Sequence, residues 1–237
     1  MDTAIFFSGG KDSLALLHMY RAVRDGMYVI WANPGAPYAS TVKMMDEWRA
    51  KLPHFIEVNG NQPQHIERYG YPVDVLPINY GAQAKALYGS DSDVKLQSYL
   101  DCCAANLWQP VALEVKRLGV KRVICAFRRD ESYDNMTRGD TVIDGVEYIF
   151  PLMTWTEAEV FAYLKEHSVA LPEEYARGEK KSRDCWNCTA WLHEDVERIR
   201  NLPPEQRTEM KRRLTIIADL TQRATKHLDN ALRSANA

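Results

Sequence analysis

The sequence predicts an α/β fold, a doubly wound and mostly parallel sheet with C-terminal helical additions, and three observations predict it. Short apolar runs alternate with helical stretches at the spacing of βα units. A glycine-rich turn, Ser8-Gly9-Gly10-Lys11-Asp12-Ser13, joins the first apolar run to the first helix. The last part of the chain carries apolar residues at helical spacing, including Leu214, Ile217, Leu220, Ala224 and Leu228.

The elements follow in order. Ala4–Phe7 reads as a short buried strand, and Leu14, Leu17, His18 and Arg21 open a helix with Leu16, Tyr20 and Val23 on neighbouring turns. "MYVIWANPG" is a second strand ending in a turn, "STVKMMDEWRAKL" a helix and "HFIEVNG" a third strand. A long region punctuated by Tyr and Gly leads to a helix over "SYLDCCAANLWQPVALEVKRL". "VKRVICAF" and "EYIFPL" are the fourth and fifth strands. Thr156 followed by Glu159 is a capping-box pattern that opens a helix with Val160, Tyr163 and Leu164 on its apolar face. "ALPEEYARGEKKSRDCWNCTAW" is loop-like, and "NLPPEQ" breaks the tail before its last helix, which is expected to pack on the body. Residues 1–191 are expected to form one nucleotide-binding domain, with 192–237 a helical extension packed on it.

Composition sets bounds. The 237 residues are 46% hydrophobic and 26% charged, ordinary for a globular protein with a sizeable core. No apolar run is long enough to span a membrane, and no signal sequence precedes the first strand, so a cytoplasmic protein is expected. The net charge is −2, yet residues 177–237 hold 13 basic and 9 acidic residues. So small an excess reads first as a solvated helical surface and second as a guide for nucleic acid. Five cysteines, an odd number, argue against a disulfide framework. Cys125, inside "RVICAF", reads as a small buried hydrophobe.

The opening turn has the chemistry of a phosphate site. Paired glycines allow close backbone approach, and the amides and dipole at a helix start favour an anion. Lys11 adds a point charge, and Ser8 and Ser13 add hydroxyls. The common nucleotide loop, G-x-x-x-x-G-K-[ST], is excluded because Asp12 follows Lys11 and no glycine stands five residues before Gly10. The stretch resembles instead the PP-loop of ATP pyrophosphatases, S-G-G-x-D-S. That resemblance implies an adenine nucleotide alpha hydrolase-like fold that holds ATP with Mg²⁺. It also implies cleavage between the α- and β-phosphates, with Lys11 and Asp12 as the catalytic candidates.

Further stretches narrow the resemblance. "WANPGAPYAST", "AFRRDES" and "FPLMTWTEAEVFAYLKEHSVALPEEYARG" resemble, in order, the N-T-G-x-x-F-P-E-T, G-x-R-R-x-E-S and P-L-x-x-W-T-x-x-D-V-W-x-Y-L segments of the phosphoadenylyl-sulfate (PAPS) reductase family. The resemblance implies an adenine nucleotide across the carboxyl ends of the strands, contacted by Ser8, Gly9, Gly10, Lys11, Asp12 and Ser13. It places Asn33 and Gly35 beside the nucleotide and Arg128 and Arg129 near its phosphates. Read without it, Asn-Pro-Gly is turn chemistry, and the arginines could pair with Asp130 and Glu131.

Cys102, Cys103, Cys185 and Cys188 make a CC…CxxC set. Four thiolates suffice for a Zn²⁺ site or a [4Fe–4S] cluster, and buried thiols without a metal are the plain alternative. The pattern, with "SRDCWNCT", resembles the cluster-binding cysteines of assimilatory adenylyl-sulfate (APS) reductases, which implies [4Fe–4S] with Zn²⁺ as the alternative. Trp186 and Trp191 would then shield the cluster, or simply pack.

Two departures shift the expected reaction. No cysteine follows Cys188, where sulfonucleotide reductases carry a nucleophile in E-C-G-L-H. Their C-C-x-x-R-K reads here "CCAANL", so Asn106 and Leu107 replace an arginine and a lysine. The expectation is therefore an iron–sulfur ATP pyrophosphatase that adenylates a substrate so that sulfur can replace oxygen. A sulfonucleotide reductase borrowing a partner's thiol, and a non-catalytic nucleotide-binding subunit, are the alternatives. Expected partners are an adenine nucleotide, a sulfur-donor protein and a tRNA or DNA substrate, with no membrane; self-association is left open.

Overall fold

The computed structural model describes residues 1–89, 93–128, 139–176, 179, 184–192 and 196–236. The chain opens with β1 (Thr3–Phe6), α1 (Lys11–Met19), β2 (Tyr28–Asn33), α2 (Ala39–Arg49) and β3 (Phe55–Asn59). Then come α3 (Gln62–Tyr69), β4 (Tyr71–Val73), α4 (Ala82–Tyr88), β5 (Leu96–Ser98) and α5 (Tyr99–Cys103). A π-helical turn at Ala104–Trp108 leads into α6 (Gln109–Arg117) and β6 (Arg122–Ile124). The rest comprises β7 (Thr141–Ile143), β8 (Val146–Ile149), α7 (Glu157–Glu166), α8 (Glu173–Ala176), α9 (Glu197–Arg200) and α10 (Pro204–Ala235).

These elements form two compact units, one of residues 1–60 and 107–184 and the other of 61–106 and 185–237. The sequence reading drew one division at residue 191; the contacts instead alternate between the units along the chain.

The first unit holds a six-stranded sheet in the order β3-β2-β1-β6-β8-β7. All neighbours are parallel except β7, which runs antiparallel to β8. Both faces are covered, and the pleat sorts the side chains between them. Ile5, Val29, Trp31 and Ile124 pack on one side with Leu14 and Leu17 of α1 and Val160 and Leu164 of α7. Ala4, Ile30, Val123 and Cys125 pack on the other with Val111 and Val115 of α6. Two-sided burial explains why the strands read as continuous apolar runs rather than alternating ones. The doubly wound, mostly parallel sheet is as expected. The added antiparallel strand turns on Asp144-Gly145, whose φ angles of 50° and 78° suit a two-residue hairpin.

The second unit is built on the parallel pair β4–β5, three residues each. Val73, Tyr80, Leu96 and Leu220 form its core, with Ile216, Ile217 and Ala224 of α10 against it. Of the expected stripe on that helix, Leu228 does not pack: it and Leu232 are exposed, because the helix runs past this small core. The expected single helix over residues 98–118 is interrupted by the π turn, which lies directly after the paired cysteines.

The capping box forms as the sequence predicts. Thr156 Oγ1 accepts from the Glu159 amide at 3.3 Å, and Glu159 Oε2 accepts from the Thr156 amide at 2.7 Å. Thr156→Ala should cost about 1 kcal/mol in urea denaturation, the usual worth of such a cap. Acid stability has a second source on α10. Hydrogen bonds from Arg212 and then Arg213 outweigh the effect of burial and hold the Glu209 carboxyl down at about 2. Its stabilisation is complete above its ordinary value of 4.5 and is lost as pH falls through about 2. Glu209→Gln should flatten the loss of thermal stability across that acid window, read from melting temperatures against pH.

Candidate active site

The site begins where β1 ends. Phe7 still bonds to the sheet, its amide donating to Ile30 O at 2.9 Å, and then the chain turns through Ser8 and Gly9 into α1. Gly9 has φ +80°, and a Cβ there would meet the terminal methyl groups of Met44 and Met45, the far ends of flexible side chains. The turn therefore needs glycine for its dihedral. Ser13 Oγ donates to Gly10 O at 2.9 Å, Ser8 Oγ donates to Ser13 Oγ at 3.2 Å, and the Gly10 amide donates to Ser8 Oγ at 3.4 Å. The two serines brace the turn that the glycines allow.

Two buried cations converge on one carboxylate. Lys11 and Arg128 are each only 2% exposed. Lys11 Nζ lies 3.0 Å from Asp12 Oδ2, and Arg128 Nε lies 2.6 Å from Asp12 Oδ1. Glu157 Oε1 stands 3.3 Å from the same lysine, whose ammonium also lies 6.0 Å from the ring centres of Phe161 and Tyr175. With Lys11 and Arg128 against Asp12, and half-exposed Glu157 beside the lysine, charge is concentrated in low dielectric, where it responds strongly to an added anion. The Lys11 amide, at the start of α1, donates to Tyr175 Oη at 3.0 Å. That is an amide a bound phosphate would compete for.

Space adjoins this cluster. A cavity of about 310 Å³ is lined by Ser8, Gly10, Asp12, Ser13, Cys125 and Asp184, among others. Another, of about 400 Å³, shares Phe6, Ser8, Phe127 and Asp184 with it and is walled by Ile30, Trp108, Val111 and Tyr148. A polar chamber over the turn thus meets an apolar one beside it. Cys125 is buried as predicted, and burial pushes its thiol up to about 12, so it faces the polar chamber as a neutral group.

The predicted site residues divide into those the fold gathers and those it does not. Ser8, Gly9, Gly10, Lys11, Asp12, Ser13 and Arg128 form one cluster. Arg128 takes Asp12 of the turn as a partner, which the expected neighbour pairing did not include. Asn33 and Gly35 stand at the end of β2, where Asn33 Nδ2 donates to Glu57 Oε1 at 2.6 Å and the Gly35 amide donates to Asn33 Oδ1 at 2.9 Å. Arg129 lies outside the described residues. Sequence reasoning missed Glu157 and Tyr175. Both fall in stretches quoted for other reasons, and nothing in their spacing points back to Lys11.

The four cysteines belong to the second unit. Cys102 is buried in α5, while Cys103, Cys185 and Cys188 are half-buried. Burial pushes the Cys102 thiol up to about 12; the charge of nearby Cys188 adds to this, and a hydrogen bond from Asn106 opposes it. The buried Asn106 amide donates to Cys102 O at 2.8 Å, and its Oδ1 accepts from the Asn61 amide at 3.0 Å. Asn106 thus replaces an expected charge with a main-chain brace. Among the described residues, no three His, Cys, Asp or Glu side chains form a group able to hold a metal ion. What fits a cluster here is the donor chemistry and the approach of Cys102 to Cys188. Trp191 stacks on Tyr99, with ring centres 4.7 Å apart.

A mostly parallel α/β sheet with a serine–glycine–lysine turn between β1 and α1 is an α/β fold of the PP-loop kind. The chain belongs to the phosphoadenosine phosphosulfate reductase domain family, whose pattern matches residues 2–191. It is 23% identical over 205 residues to an uncharacterized protein of Methanocaldococcus jannaschii, covering 84% of this chain but 44% of that one. The phosphoadenylyl-sulfate (PAPS) reductase of Candida auris, in its phosphate complex, is 19% identical. It covers 78% of this chain and 81% of its own, with a TM-score of 0.52, and so shares the fold. The NH3-dependent NAD synthetase of Campylobacter jejuni is 16% identical, with 91% and 84% covered and a TM-score of 0.46. Among the described residues no helix is long and apolar enough to cross a membrane.

Asp12→Asn should destabilise the first unit by about 3 kcal/mol, the cost of removing the carboxylate from a buried ion pair. Urea denaturation followed by tryptophan fluorescence measures it.

Proposed function

We propose that the protein is a PP-loop ATP pyrophosphatase that adenylates a substrate oxygen, releasing pyrophosphate, so that sulfur can take the oxygen's place. The observation that carries the reading is the pair of buried cations, Lys11 and Arg128, meeting at Asp12 in the first turn of α1 beside a polar chamber. Phosphates of ATP enter that chamber against the amides of the turn, and the adenosine takes the apolar chamber alongside. Lys11 then offsets charge that grows on the leaving pyrophosphate, and Asp12 holds Lys11 and organises Mg²⁺.

Cys102, Cys103, Cys185 and Cys188 are the residues that would hold a [4Fe–4S] cluster, with Zn²⁺ as the alternative metal. Support comes from four thiols in one unit and from the closeness of Cys102 and Cys188. Such a cluster, when bound, supplies iron that can carry sulfur. Loss of the expected arginine–lysine pair at Asn106 and Leu107 speaks against a sulfate-bearing nucleotide and for a different acceptor, with tRNA or DNA the class proposed. The proposed setting is the cytoplasm, with a sulfur-donor protein as partner.

The test is pyrophosphate release from ATP and Mg²⁺, with tRNA or DNA as acceptor, on protein purified without oxygen. Release should depend on acceptor and fall by about 100-fold or more in Lys11→Met, the usual cost of losing a group that stabilises developing charge. About four iron and four sulfide per chain should be found and should be lost in Cys185→Ala. ATP binding without release for any acceptor would leave a nucleotide-binding subunit. A thiosulfonate trapped on a partner's thiol would instead point to a reductase.

A further inference from the structure

A cavity of about 520 Å³ lies wholly within the second unit, between α3, the start of β4 and β5, and α10. Its chemistry is uneven. Glu209 is fully engaged, accepting from Arg212 Nε at 2.7 Å and Nη2 at 2.8 Å and from Arg213 Nε at 2.7 Å. One carboxylate therefore answers two guanidinium groups. Arg212 Nη2 also donates to Tyr71 Oη at 2.9 Å, which leaves its Nη1 without a partner among the described residues. Lys95, also in the wall, donates to the Arg68 carbonyl at 2.9 Å and meets no carboxylate among the described residues. Glu67 and Asp93 line the cavity too, but both are exposed, and Asp93 stands 4.0 Å from Lys85. Over the lining, Lys85, Lys95, Arg212 and Arg213 exceed Glu67, Asp93 and Glu209 by one positive charge, and Lys95 and one edge of Arg212 are the cationic groups with no carboxylate on them among the described residues.

Part of the wall belongs to the CxxC loop. Arg213 Nη1 donates to Asn187 O at 3.3 Å, and Asn187 lines the cavity between Cys185 and Cys188. Its side chain is 4% exposed, and its Oδ1 has no hydrogen-bond partner among the described residues. A buried acceptor in that condition is relieved by an incoming donor, so the ligand that fits this wall carries a hydroxyl beside its oxyanion group.

We propose that this cavity binds a small organic oxyanion, a carboxylate or phosphate, whose charge is taken by Lys95 and the Nη1 edge of Arg212. Ile66, Val94 and Tyr71 line the space left for its carbon body. The size falls within the range of small-molecule sites, and a guanidinium edge suits a planar or tetrahedral oxyanion. The site stands apart from the ATP reading: it uses no residue of the phosphate turn, and its ligand would sit against the loop that carries two of the four thiols.

The test is calorimetric titration of the full chain with inorganic phosphate and with citrate, carrying Lys11→Met throughout to weaken binding at the turn. Saturable binding of one or both probes should persist in that background. It should weaken by ~tenfold or more in Lys95→Met and in Arg212→Gln, the worth of one charge-assisted hydrogen bond. Lys95→Arg should restore it, and unchanged circular-dichroism melts would show that the variants fold. Absent binding, or binding indifferent to both substitutions, overturns the proposal. A ten-nucleotide single-stranded RNA binding far more tightly than either probe, with the same sensitivity, also overturns it, because the anion would then be a nucleic-acid backbone.

Discussion

Asp12 sits between two cations that water barely reaches, and the architecture of the first unit turns on keeping it there. A lone buried ammonium or guanidinium is costly, and Lys11 and Arg128 beneath the turn each have a carboxylate oxygen of Asp12 within 3.0 Å. That carboxylate is fixed by α1, whose first turn is fixed in turn by the serines and by a glycine in the left-handed region. Arg128 follows β6 and Lys11 follows β1, neighbours in the sheet, so strand pairing brings the two charges to one edge. Sheet register, helix start and charge cluster are thus parts of one arrangement.

The chemistry of such a cluster lies in its balance. Lys11 answers to Asp12 and Glu157, and its amide answers to Tyr175. Under the proposed function, an arriving phosphate has to be preferred over these internal partners, which makes charge and the geometry of the turn the basis of discrimination. The cysteine-bearing unit follows a different logic. There the main chain around two of the cysteines is braced by polar side chains, Asn106 on the Cys102 carbonyl and Arg198 on the carbonyls of Cys188 and Ala190.

Much of this was legible in the chain. The strand–turn–helix placement of the Ser8–Ser13 stretch was legible because its signal is local: six consecutive residues between a strand and a helix carry it. The sheet was legible for a similar reason, since strands buried on both faces are apolar throughout. The capping box at Thr156 and Glu159 was read correctly from a spacing of three. What escaped is what depends on distance along the chain. Tyr175 meets the Lys11 amide 164 residues away, and no periodicity encodes that. The β4–β5 pair is three residues long on each side, too short for any pattern to rise above its neighbours. The β7–β8 hairpin did leave a signal, Asp144-Gly145 between apolar residues, which went unused because the flanking strand is exposed and brief. Leu228 shows the opposite failure: the helical period continues, but the core it would face has ended.

The alternation of the two units along the chain has a consequence for how the protein is made. Residues 61–106 leave the ribosome well before 185–237, the other part of their unit. Leu96 and Val73 must wait for Leu220, on the last helix, before their core can close. At bacterial or eukaryotic elongation speeds that delay is on the order of ten seconds. During it, the segment around β4 and β5 has no finished core of its own, while every strand of the large sheet has already emerged. Nascent chains therefore pass through a stage with one half complete and the other half exposing apolar surface and two adjacent thiols, which makes this interval the natural point for a chaperone to engage.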